Sequence, residues 1–114
     1  MSTLKVDTLQ TTGGAGLYPA KAWVNFDGTG TVAIRDDGNV SSITDNGTGD
    51  YTLNFDNALS SSNYAGFYLA GNLGSGGYSL ISPVAVSTTS LEIEVANKNG
   101  TLVDRDTVTL GVVL

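Results

Sequence analysis

The sequence predicts an all-β fold, an antiparallel sandwich or jelly-roll-like barrel with an extended N-terminal arm. Three observations predict it. Apolar and polar residues alternate in short bursts, the period-2 pattern of half-buried strands. The bursts end at turns rich in Gly, Asn and Asp, and 15 of the 114 residues are glycine. No stretch carries a 3.6-residue apolar period. The spacing gives roughly eight or nine strands and no helix.

Leu4 to Leu9 reads as a short strand or an extended arm, with Leu4 and Val6 on one face and Lys5 and Asp7 on the other. Thr11 to Gly16 is small and flexible, a linker. Residues 1–19 are therefore read as arm and linker, and 20–114 as one β-sandwich domain. An apolar arm on a flexible joint either packs on another chain, with Leu4, Val6 and Leu9 as its contacts, or forms the first strand of its own sheet.

Ala22 to Phe26 is a strand with Ala22, Val24 and Phe26 on one side and Trp23 and Asn25 on the other. Trp23, opposite the core face, is either an interface anchor or the cap of a second core layer. Asp27 to Gly30 turns the chain, and Thr31 to Arg35 returns with Val32 and Ile34 inward. Asp36-Asp37-Gly38-Asn39 contains Asp-Gly, a hairpin signal, leading into a weaker strand, Val40 to Thr44. Asp45 to Gly49 is a third turn. Asp50 to Phe55 alternates cleanly, placing Tyr51, Leu53 and Phe55 inward.

Asp56 to Asn63 is polar and reads as a loop. Tyr64 to Ala70 is apolar and aromatic, a strand by composition, followed by a flexible loop, Gly71 to Gly77. Tyr78 to Ile81 and Val84 to Val86 are expected as two strands separated by Ser82-Pro83, since proline denies a ladder donor. Leu91, Ile93 and Val95 alternate with Glu92 and Glu94, a strand wet on one face. Asn97 to Gly100 contains Asn-Gly and reads as a hairpin turn. Thr107 to Leu114 closes the chain with Val108, Leu110 and Val112 in phase.

Composition narrows the function. The chain has 5 basic and 11 acidic residues and a net charge of −6, which disfavours nucleic acid and anionic membrane surfaces. It has no cysteine, so no disulfide supports the fold. It has no histidine either, which removes the side chain most used for proton transfer near neutral pH and the commonest metal ligand. No apolar run approaches the ~20 residues of a membrane span, and no apolar h-region marks a secretory signal.

The remaining chemistry is sparse. Glu92 and Glu94 share a strand face about 7 Å apart, near the separation of paired carboxylates in glycoside hydrolysis. The wet face of a regular strand accounts for them without catalysis. The oxygen-rich Asp45 to Asp50 segment lacks EF-hand spacing, and turn chemistry explains it. The Gly71 to Gly77 loop has neither the lysine nor the following helix of a phosphate cradle. Serines are plentiful but have no histidine base. No catalytic residue, cofactor or metal is expected. Tyr64, Phe67, Tyr68 and Tyr78 flank the flexible loop; with Trp23 they are either core and subunit contacts or a stacking surface for a glycan.

The segment KAWVNFDGTGTVAIRDDGNVSSITDNGTGDYTLNF, Lys21 to Phe55, resembles a β-rich module of tailed-bacteriophage virion proteins, of the tail-fibre or head-decoration type. The opening MSTLKVDTLQTTGGAGLYPA resembles the leader that precedes such modules. Together they cover about half the chain; the C-terminal half matches less well, which in that family suits a region adapted to a partner. The resemblance implies a non-enzymatic virion protein, made in the host cytoplasm and carried on the particle surface. It also implies a homo-oligomer, commonly a trimer, bound to a capsid or tail-fibre protein. A short chain of arm, linker and one domain fits a small capsid decoration or cement protein, or a fibre knob. The alternative is a receptor-binding tail-fibre module that recognises a host surface glycan.

Overall fold

The computed structural model of the chain describes residues 3, 5, 7–14, 16, 19–75 and 79–114. Leu4, Val6 and Tyr78, three of the residues singled out above, lie outside them. Eight strands are described: β1 (Ala22–Asp27), β2 (Ala33–Gly38), β3 (Val40–Gly47), β4 (Asp50–Phe55), β5 (Ala65–Gly71), β6 (Ser79–Val86), β7 (Ser90–Asn97) and β8 (Thr107–Val113). There is no helix among the described residues.

The strands form two antiparallel four-stranded sheets, β2-β1-β8-β5 (sheet 1) and β3-β4-β7-β6 (sheet 2). β2 lies against β3 and β5 against β6 across the interior. Both sheets are open-edged, so the strands form a sandwich rather than a closed barrel.

The alternation in the sequence is what fills the interior. Ala22, Val24 and Phe26 of β1 and Val108, Leu110 and Val112 of β8 face Tyr51, Leu53 and Phe55 of β4 and Leu91, Ile93 and Val95 of β7; all are buried. Each Val, Leu, Ile and Phe among them contributes about 1.5–3 kcal/mol by leaving water. Val32 and Ile34 pack against the margin of this core, as expected.

Two local expectations are corrected and a third is narrowed. Asp36-Asp37-Gly38-Asn39 does not close a hairpin: Gly38 ends β2 in sheet 1 and Val40 begins β3 in sheet 2. The corner turns on Asn39, whose φ of 60° makes it the one non-glycine residue with positive φ among those described. Asparagine tolerates that region because its side chain bonds locally to the backbone. Ser82-Pro83 does not divide two strands either. β6 runs unbroken past it, with Val84 bulged out between the Pro83–Ile93 and Ala85–Glu92 pairs. An edge strand accepts proline where its nitrogen faces away from the neighbour. Finally, the Asn97–Gly100 turn forms, with the Gly100 N–H on the Asn97 carbonyl at 3.0 Å. The chain then returns only as far as an Ala96–Leu102 bridge before crossing to sheet 1 as β8.

Candidate functional site: one apolar side and one polar face

The two outer faces of the sandwich differ in chemistry. Sheet 2 is polar outside over β3, β4 and β7, with Leu80 of the edge strand β6 exposed beside them. Asn54 donates to Ser42 Oγ at 3.1 Å and Thr44 Oγ1 at 3.0 Å, and Asn46 donates to Thr52 Oγ1 at 2.8 Å. Asp50 pairs across the ladder with Glu94, and Thr52 with Glu92. Asp50 thus joins Glu92 and Glu94 on one face, a third carboxylate that only the register reveals. A hydrogen bond with Asp50 raises the Glu92 carboxyl above its ordinary value, with desolvation and the charges of Asp50 and Glu94 adding to the shift. These groups lie on a flat, solvated surface.

Sheet 1 is apolar outside along Trp23, Gly111, Phe67 and Leu69, and polar at Asn25, Asp36 and Thr109. Trp23 is 40 % exposed and stands between Gly38 on β2 and Gly111 on β8. Its indole lies over Gly38 so closely that a Cβ there would meet Nε1 and the ring would have to move, whereas a Cβ at Gly111 would make only ordinary contacts. No second core layer covers Trp23 among the described residues. Phe67 is 64 % exposed opposite Gly111, and Leu69 is 74 % exposed opposite Thr109. Shallow depressions along β5 and β8 are lined by Phe67, Leu69, Leu73 and Thr109. On the β1–β2 side of this face, Arg35 reaches over the surface, donating to Asn25 Oδ1 at 3.1 Å and to the Asp106 carbonyl at 2.5 Å.

The remaining aromatic candidates separate. Tyr64 is packing: its ring meets Phe55 edge-on with centroids 6.0 Å apart, and its hydroxyl donates to the Ser87 carbonyl at 3.0 Å. Tyr68 is half-buried on the inner side of β5, its hydroxyl end lying over Gly66. Burial pushes both phenols up. Of the named aromatics in the described residues, Trp23 and Phe67 are the ones offered to solvent. In the arm, Leu9 is 45 % exposed, and a Gln10–Gly16 bridge closes the linker on itself.

The Asp45 to Asp50 segment is engaged in turn chemistry. Asp45 Oδ1 accepts the Gly47 N–H at 3.0 Å, and Asn46 turns back toward Asp50 and Thr52. No group of three or more acidic residues suited to a metal ion occurs among the described residues.

Two hydrogen-bonded clamps hold the ends of the sandwich, and sequence reasoning missed both. At one end Asn39 Nδ2 donates to the carbonyls of Lys21 at 3.0 Å and Asn57 at 3.1 Å, while its Oδ1 accepts the Asn57 N–H at 2.8 Å. At the other, the buried Tyr51 hydroxyl lies 2.8 Å from the Gly28 carbonyl and 2.6 Å from Asp104 Oδ1. The same Oδ1 accepts the Gly49 N–H at 2.9 Å. Gly49 has φ +67° and sits where a Cβ would lie 2.5 Å from the Val95 carbonyl oxygen, so only glycine fits. Burial first, and then the bond to Asp104, push the Tyr51 phenol far above its ordinary value.

No known protein family, no curated protein and no solved structure matches this chain.

Proposed function

We propose that the chain is a non-enzymatic structural protein of a tailed-phage particle: a small capsid decoration protein or fibre knob that assembles with copies of itself. One observation carries the association part of this reading. Six of its nine exposed large apolar side chains among the described residues lie along the β5–β6 side of the sandwich, Phe67, Leu69 and Leu73 with Leu80, Val84 and Val86, while the β2–β3 side carries Arg35, Asp36, Asp37 and Asp45; Leu9, Trp23 and Leu114 lie elsewhere. Concentrated apolar surface of this kind is characteristic of a docking side. The phage setting rests on the resemblance of residues 1–20 and 21–55. So do a threefold assembly and an arm, Leu4 to Leu9, that holds the particle. The exposed pair Trp23 and Phe67 supports a second reading, in which that face stacks on a host glycan.

Particles lacking the protein separate the two readings. A decoration protein binds the assembled shell and not its dissociated parts, so it stabilises the shell. Its loss should lower the temperature of genome release and leave adsorption to cells intact. Protein lacking residues 1–12 should fold but fail to restore that stability. Normal particle stability with failed adsorption would favour the glycan reading. In that case Trp23→Ala with Phe67→Ala should abolish cell binding while the protein stays folded.

A further inference from the structure

An open sandwich has four edge strands, here β2 and β5 in sheet 1 and β3 and β6 in sheet 2. An edge strand offers a row of backbone donors and acceptors to any strand that approaches, and proteins guard edges with bulges, charge and proline. Three of these edges are guarded. β2 bulges at Arg35, between the Asn25–Asp36 and Phe26–Ile34 pairs, and carries Arg35, Asp36 and Asp37. β3 bulges at Ser41 and again at Asn46, and carries Asp45. β6 bulges at Val84 and contains Pro83.

β5 has none of these devices. Its 7 residues, AGFYLAG, pair with β8 without a register shift from Ala65–Val113 to Gly71–Thr107. It contains no charge and no proline, and among the described residues it pairs only with β8.

We propose that β5 is a self-pairing edge, to which β5 of a second copy adds antiparallel across a two-fold axis at Tyr68, joining the two copies of sheet 1 into one continuous sheet. Three features favour a second copy over another occupant. The strand is nearly palindromic about Tyr68, so antiparallel pairing sets Phe67 against Leu69 of the other copy, Gly66 against Ala70, and Ala65 against Gly71. Aromatic and aliphatic residues then meet on the outer face, and small residues meet at the ends. The chain carries −6, so copies repel generally, and β5 is an edge where self-pairing brings no carboxylates together. The side that would be covered is the one where Leu73, Leu80, Val84 and Val86 are also exposed, while the proline and bulge of β6 confine the pairing to sheet 1. A two-fold contact of this kind is self-complementary and closes on itself. It depends neither on the phage reading nor on a threefold contact made elsewhere.

The register supplies the test. In an antiparallel pair, residues directly opposite lie about 4.5–5.5 Å apart at Cβ, near disulfide reach, and diagonal ones about 7–8 Å. The chain has no cysteine, so engineered thiols are unambiguous. Phe67→Cys and Leu69→Cys, prepared separately and mixed under mild oxidation, should form the mixed disulfide much faster than either forms its own. Leu80→Cys on β6 should not cross-link. Light scattering of the full chain at micromolar concentration should give an even number of chains, and Leu69→Lys should halve that mass while the protein still unfolds in a cooperative transition. Hydrogen exchange should show the β5 amides that point away from β8 protected in the full chain and unprotected in Leu69→Lys. A mass unchanged by Leu69→Lys, free exchange of those amides in the full chain, or self-disulfides as fast as the mixed one would overturn the proposal. So would an assembly that dissociates on removal of residues 1–12 but not with Leu69→Lys, which would give the arm the role assigned to β5.

Discussion

Asn39 does two things at one position: it takes up the positive φ of the sheet-to-sheet corner and ties that corner to Lys21 and Asn57. The substitutions separate these roles. Asn39→Ala loses the bonds and adds left-handed backbone strain, and is expected to cost about 2–3 kcal/mol in denaturant unfolding. Asn39→Gly loses the bonds but not the conformation, and should cost about 1–2 kcal/mol. Equal losses in the two variants would mean that the backbone conformation contributes nothing. Tyr51 gives a pH-dependent counterpart. Its phenol is raised, so the folded state keeps a proton that the unfolded chain releases above about pH 10. The stabilisation is complete below that pH and is lost as pH rises beyond it, because the unfolded state then binds fewer protons. Tyr51→Phe should be less stable than the parent at pH 7, by about 1–2 kcal/mol for the lost hydroxyl bonds. The gap should narrow as alkaline unfolding proceeds. Tyr64 and Tyr68 shift in the same direction and leave a smaller alkaline slope in the variant.

At the scale of the strand, what matters is which residues the ladder sets opposite one another. Asp50 faces Glu94, and Glu92 stands beside them on the same outer face. Like charges directly across a sheet oppose pairing. A carboxyl raised by its neighbours, as Glu92 is, favours the fold only while protonated and loses that benefit as pH rises through its folded value. Glu94→Lys should therefore raise the urea midpoint at pH 7. The gain should shrink as the solution is acidified and carboxylates protonate; a gain that persists in acid would point to packing instead of charge. Strand identity was largely legible in the sequence, since the alternations at Ala22–Phe26, Tyr51–Phe55, Leu91–Val95 and Val108–Val112 are the core strands observed. Strand ends and turn roles were less so. Asp-Gly at 37–38 has hairpin chemistry, but a hairpin also requires the next strand to stay in the same sheet, and β3 does not. The proline at 83 reads as a break because the sequence does not say that β6 is an edge.

For the whole molecule, the all-β class, the alternation that builds the core and the acidic surface could be read from the sequence. These follow from composition and from a period of two, which depend on near neighbours along the chain. The sequence did not determine the partition into sheets, because β2 to β3, β4 to β5, β5 to β6 and β7 to β8 all cross the sandwich, and each crossing is chosen by the fit of distant faces. The clamps follow from that partition: Asn39 meets Asn57 and Tyr51 meets Asp104 only once the crossings are made. The candidate docking side follows from it as well. Phe67 and Leu69 read in sequence as part of an apolar strand; pairing with β8 leaves them on an outer face and leaves β5 as an edge without bulge, charge or proline. Which strands are edges, and which of those are guarded, is a property of sheet order, and tertiary structure alone sets that order.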